Sequence, residues 1–145
     1  MEQKEIQGIF GFNGEYRFLS NFYETPITYE GITYPSVENA YQAAKTTIEE
    51  ERLQFVKISS KEAKSLGKKI TLREDWNLVK LKVMWNLIHE KFTRNRKLYS
   101  ALVLTGDTHI EETNWWGDKF WGVCRGEGEN NLGKLLMQLR EKLKN

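Results

Sequence analysis

The chain holds 145 residues, with 22 basic and 20 acidic side chains, two His and one Cys, a length that allows one domain with a modest core and no second catalytic domain. Hydrophobic residues at 39% and charged ones at 29% describe a globular chain rather than a disordered or fibrous one, and a net charge of +2 is too small for sequence-independent DNA binding. No apolar run approaches the ~20 residues that span a bilayer, Met1 to Ile6 has no signal-peptide core, and the lone Cys124 excludes an intrachain disulfide and points to a reducing, cytoplasmic setting.

Strand signals come first along the chain. Ile9 to Phe12 and Ile27 to Tyr29 are β-branched or aromatic, with turn residues at Asn13-Gly14 and Glu30-Gly31. Asn13-Gly14 ahead of Arg17-Phe18-Leu19 predicts one hairpin turn. Glu30-Gly31 before Ile32-Thr33-Tyr34 predicts another, so the N-terminal part is expected to be a small antiparallel β element. After Pro35 the period turns helical: Ser36 is an N-cap ahead of Val37, Ala40, Tyr41, Ala44 and Ile48. Ser59 with Glu62 fits a capping box for a short helix ending near Gly67. Trp76, Val79, Val83, Leu87, Ile88 and Phe92 form the wide apolar stripe of a long helix. Leu98 to Leu104 suggest another, stopped by Thr105-Gly106-Asp107, and Leu132, Leu135, Leu136, Leu139 and Leu143 mark the last. His109-Ile110-Glu111 and Lys119-Phe120-Trp121 read as short extended pieces. The expectation is a mainly α (α+β) single domain over residues 1–145.

Three polar patterns stand out. Glu38, Gln42 and Lys45 fall at i, i+4 and i+7 with Tyr41 beside them, so they share one narrow stripe. Such a stripe is either one wall of a polar pocket or the solvated side of an amphipathic helix. Asn114-Trp115-Trp116-Gly117-Asp118-Lys119-Phe120-Trp121-Gly122 crowds four aromatic side chains around glycines and a carboxylate. Flat aromatic faces suit stacking on a heterocycle, and a carboxylate among them suits acid/base work. The same composition also closes a small core with Asp118 in a turn. Gly126 to Gly133 leads into the last helix, either as a phosphate-holding approach to a helix N-terminus or as a loop with Asn130 or Asn131 as N-cap. Its glycine spacing fits neither a Walker A loop nor a Rossmann fingerprint.

His89 and His109 lie far apart without companion cysteines, so no metal site is expected, and Cys124 has no partner His that would make it a nucleophile. Arg94, Arg96 and Lys97 form a small basic cluster, either a solvated helix end or a phosphate contact.

With these residues assembled, the sequence resembles the NADAR (YbiA-like) family. The likeness runs through Phe18 to Tyr23 and Ser36 to Lys45, then Ala63 to Gly67 and Arg73 to Trp76 with Lys80 and Met84. It continues in Lys91 to Asn95, Asp118 to Gly122 and Gly126 to Arg140. It implies a helical YbiA-like fold and cleavage of N-glycosidic bonds, in phosphoribosylated pyrimidine intermediates of riboflavin synthesis or in ADP-ribosylated guanine of nucleic acid. The family's motif glutamate falls on Glu38, its aspartate before Trp-Gly on Asp118, its tryptophan on Trp76 and its motif lysine on Lys45. Two features depart from the family: the Gly-rich stretch after Trp121 is about one residue shorter than in bacterial riboflavin-type members, and Trp115-Trp116 is an added pair.

On this resemblance the expected catalytic residues are Glu38, Asp118 and Lys45. The expected substrate-binding residues are Asn21, Phe22, Tyr41, Gln42, Trp76, Trp121, Gly122 and Asn130. The reaction needs no cofactor or metal. The partner is a nucleotide-like small molecule or ADP-ribosylated nucleic acid, with no membrane. Two other classes remain: a non-catalytic module that binds NAD or ADP-ribose, and a nucleic-acid binder using Trp115, Trp116 and the Arg94 to Lys97 cluster.

Overall fold

The computed structural model describes residues 7–145; the reading of Met1 to Ile6 lies outside them. The described chain is mainly helical with short β pairs, as expected. It packs as two compact units, one formed by Asn21–Leu98 and the other by the chain on either side, up to Ser20 and from Tyr99 to Asn145. No helix among the described residues is long and apolar enough to cross a membrane.

The unit Asn21–Leu98 opens with a hairpin, β2 (Glu24–Tyr29) against β3 (Ile32–Ser36), antiparallel with Tyr29 opposite Ile32. Its turn has positive φ at both Glu30 (45°) and Gly31 (84°), the primed geometry whose twist matches paired strands. Helix α1 (Val37–Ala44) follows directly, because the Ser36 hydroxyl accepts a bond from Asn39 N and so caps it. It ends earlier than the spacing suggested: Ile48 is not its last turn but the N-cap of a short α2 (Glu49–Leu53). Helix α3 (Ser60–Leu66) carries the expected capping box of Ser59 and Glu62. Helix α4 (Trp76–Arg94) buries Trp76, Val83, Met84, Leu87, Ile88 and Phe92 along the expected stripe. α5 (Arg96–Leu104) runs across the boundary between the units.

The first expected hairpin does not form. Asn13-Gly14 leads into a 3₁₀ helix, Gly14–Leu19, and β1 (Gly8–Phe10) pairs in parallel with β4 (His109–Glu111) instead. Asn13-Gly14 ends the strand without folding it back, because the strand's partner lies about a hundred residues along the chain, beyond the reach of local pattern. Lys119-Phe120-Trp121 is not a strand either. The paired residues are Thr113–Asn114 (β5) and Val123–Cys124 (β6), parallel to each other. The last helix, α6, spans Asn131–Leu143 and buries Leu132, Leu136 and Leu139.

Candidate active site

Helix α1 is buried along its whole length, polar residues included. Asn39 anchors it: its Nδ2 donates to the carbonyls of Phe55 (2.9 Å) and Ile58 (2.8 Å). Glu38 N donates to Asn21 O at 3.0 Å, which ties the helix start to the segment carrying Asn21 and Phe22. With the backbone fixed, Gln42 Nε2 reaches back one turn and donates to Glu38 Oε1 at 2.8 Å. The stripe is therefore no solvated face. Gln42 Oε1 is buried without a hydrogen bond and faces Gly67, where an added Cβ would stand 1.8 Å from it. Asn21 Oδ1 is likewise buried without a partner, while its Nδ2 contacts Met84 Sδ at 3.6 Å.

Lys45 is the C-cap of α1. Its carbonyl accepts from Arg73 N at 2.7 Å, and Arg73 in turn grips Asp75 through Nε (2.6 Å) and Nη2 (3.1 Å). That linkage sets the first residue of α4, Trp76, against Tyr41, with ring centroids 5.2 Å apart and tilted by 57°. Lys45 Nζ lies 5.5 Å from the Tyr41 ring centroid. Burial pushes the Lys45 ammonium below the ordinary lysine pKa; the Glu38 carboxylate opposes that shift, and Lys68, Lys64 and Lys80 reinforce it. A carboxylate, an amide, an ammonium of lowered pKa and two aromatic rings are thus set along α1 from its first turn to its C-cap. Phe22 lies in the adjoining segment, its carbonyl accepting from Ser60 Oγ at 3.2 Å.

The other expected residues lie in the other unit, and their side chains are used differently. Asp118 Oδ1 accepts from Phe120 N (3.1 Å) and Trp121 N (2.9 Å), so this oxygen shapes the turn that carries Trp121. Asn114 clamps the same turn, accepting from Asp118 N and donating to Asp118 O. Gly122 is buried, and a Cβ there would stand 1.8 Å from Glu112 Oε2, so the close approach of Glu112 by itself demands glycine. Asn130 caps α6 with φ of 53°, its amide spent on Glu112 N (2.9 Å) and Ile110 O (3.0 Å). The Gly-rich approach to α6 is no open phosphate cradle, since Asn131 N and Leu132 N donate to the carbonyls of Phe120 and Trp121. Of the tryptophan pair, Trp115 is 82% exposed and Trp116 49% exposed.

The sequence marks Gly67 as a helix stop and, with Lys64 and Lys80, as part of the family likeness, but it does not show that Gly67 abuts Gln42 or that Lys64, Lys68 and Lys80 act on Lys45. Sequence reasoning also missed Glu112, which no local pattern marks.

Residues 10–144 match the NADAR domain. The chain is 34% identical to N-glycosidase YbiA of Escherichia coli (strain K12), covering 97% of this chain and 90% of that protein. It is 34% identical to N-glycosidase Npun_R5314 of Nostoc punctiforme, covering 90% and 87%. It is 38% identical to riboflavin biosynthesis protein VVA0006 of Vibrio vulnificus over 87% of this chain, which spans 35% of that longer protein. The NMR structure of the E. coli protein YbiA superposes with a TM-score of 0.83 at 32% identity, covering 97% of this chain and 88% of that one. Relatives of this kind, alike over nearly their whole length, make the chain an enzyme, a hydrolase acting on N-glycosyl compounds. It belongs to the NADAR family.

Proposed function

We propose that the chain hydrolyses the bond between ribose C1 and a nitrogen of the base in a phosphate-bearing nucleoside, the substrate being a phosphoribosylamino-pyrimidine of riboflavin synthesis. The observation that carries the reading is the buried Glu38, oriented by Gln42, beside Tyr41, Trp76 and a lysine of lowered pKa. Cleaving a ribosyl C1–N bond builds positive charge on the sugar, as in glycoside hydrolysis. Glu38 faces that charge and its hydroxyls. Lys45 gives a proton to the departing nitrogen, which its lowered pKa favours, and water adds its oxygen to C1 while the proton it loses restores the lysine. Tyr41, Trp76 and Phe22 hold the flat base, and Asn21 Oδ1 accepts from it. Lys64, Lys68 and Lys80 take the phosphate. Asp118 keeps the acid/base role that the resemblance implies, through the oxygen not used in its turn. The name of the Vibrio relative supports the riboflavin class.

A second reading takes ADP-ribosylated guanine in nucleic acid as substrate. It is favoured by Trp115 and Trp116, exposed neighbours set edge to face at 84°, a surface on which bases stack.

The experiment is a side-by-side assay of both substrates, read by mass spectrometry, with wild type and Glu38→Gln. Release of free base by the wild type and its loss in the variant support the proposal. Near-wild-type release by Glu38→Gln sinks the assignment. Nucleotide binding without product from the wild type leaves only the binding-module reading.

A further inference from the structure

Helix α1 ends at Ala44, and the carbonyls at a helix end have no partner within the helix. Here two arginines answer three in a row. Arg73 Nη1 donates to Ala44 O at 3.4 Å, Arg73 N to Lys45 O at 2.7 Å and Arg52 Nε to Thr46 O at 2.7 Å. Arg52 comes from α2, a helix of five residues with no side-chain cap, and is 7% exposed. Its Nη1 donates to Glu30 Oε2 at 3.0 Å on the β2–β3 turn, and its guanidinium carbon lies 5.4 Å from the Tyr29 ring centroid. A planar fork held at its tip by the hairpin keeps its Nε aimed at Thr46 O. Glu51, the preceding residue, takes the other side of Thr46. Its Oε1 accepts from Thr46 Oγ1 at 2.8 Å, and its Oε2 accepts from Thr71 N at 2.9 Å. Helix α2 is therefore a latch across the segment that carries Lys45.

Lys45 has reason to leave its place. Burial disfavours its ammonium; Glu38 on α1 attracts it, while Lys68 beyond α3, Lys64 on α3 and Lys80 on α4 repel it. The ends of helices fray, and a long cationic side chain on a frayed end swings its head into water, where burial and repulsion both lapse. The eight residues of α1 are too few to hold that end by helix formation alone. The hold comes from outside the helix, and Arg52 supplies the part of it that a side-chain substitution can remove without altering the Arg73–Asp75 pair ahead of Trp76.

We propose that Arg52 is a positioning residue of the reaction: by holding Thr46 O it keeps the Lys45 side chain over Tyr41 rather than in open solvent. The effect on rate rests on the proton role proposed for Lys45; the effect on the lysine itself does not. The test uses the full chain, isotopically labelled at lysine Cε, with the Lys45 resonance identified by its loss in Lys45→Met and titrated by NMR beside kcat and KM. In Arg52→Met, which keeps the apolar stem and removes the donors, the Lys45 midpoint should rise towards the ordinary 10.5. There kcat should fall about tenfold or more while KM changes about twofold or less. Arg52→Lys returns one donor and restores part of both. Glu30→Gln, at an exposed carboxylate, loosens the same guanidinium and leaves it in place. Loss of that negative charge would by itself lower the midpoint, so a rise reports the latch, and this variant decides the matter should Arg52→Met not fold. Arg140→Met is the control: that arginine, 5% exposed in the other unit, donates to Thr108 O at 2.7 Å, and its loss should lower Tm without moving the midpoint. A midpoint that does not rise in the folded variants overturns the proposal, as does an equal rise in Arg140→Met. A rise in Arg52→Met with unchanged kcat upholds the latch and removes Lys45 from the reaction.

Discussion

Gln42 Nε2 donates a 2.8 Å hydrogen bond to Glu38 Oε1 one turn earlier on α1, and the two residues are 5% and 8% exposed. A carboxylate this buried is held for chemistry or for folding, and Glu38→Gln separates the two. The amide keeps the volume and a hydrogen-bond acceptor for Gln42 but removes the charge. We expect kcat/KM to fall by about 10²–10⁴ while Tm stays within a few degrees. Steady-state assay beside thermal melting measures both.

Gly67 backs the other end of the Gln42 amide. Gly67→Ala forces a Cβ onto Gln42 Oε1, so it should cost about 1–3 kcal/mol, as overpacking does, and lower activity by displacing Glu38. Adding Gln42→Ala opens the space again. Denaturant unfolding of the two single variants and the double variant should show the double to be less destabilised than the sum of the singles.

Lys45 sets the pH behaviour. Its folded pKa lies below the ordinary 10.5, so the unfolded chain binds this proton more tightly. The penalty to the fold is therefore complete below the folded pKa and fades as pH rises towards 10.5. Lys45→Met removes it, and the variant's gain in Tm over the wild type should shrink across that range. In the rate, an acid that must carry its proton produces an alkaline limb below the ordinary lysine range. Lys45→Arg should move that limb out of reach, and an unchanged pH profile would remove Lys45 from the proton transfer.

Asp118 offers a test of turn against chemistry. Asp118→Asn retains an oxygen for Phe120 N and Trp121 N, whereas Asp118→Ala leaves both donors unanswered. The Ala variant should lose about 1–3 kcal/mol. The Asn variant should melt near wild type yet lose about tenfold or more in kcat. An Asn variant of full activity would reduce Asp118 to its turn.

The helices were legible because their signals are local. Ser36 and Ser59 cap within one turn, and the stripe from Trp76 to Phe92 repeats at the helical period. Glu38, Gln42 and Lys45 could be grouped for the same reason, since α1 alone brings them into line. Strand pairing carries no such local record: β1 finds β4 across the chain, and Asn13-Gly14 makes a 3₁₀ helix instead of the hairpin its letters suggest.

What the sequence determined by itself was the helical framework, the identity of the motif residues and, through them, the family. Tertiary structure alone decided how the polar groups are spent. Burial turned the stripe on α1 into a hydrogen-bonded pair and, reinforced by neighbouring lysines, lowered the pKa of Lys45. The backbone claimed the amide of Asn130 and one oxygen of Asp118. Hydrogen bonds and desolvation depend on distances of a few ångströms between segments remote in the chain, and those distances exist only once the chain has packed.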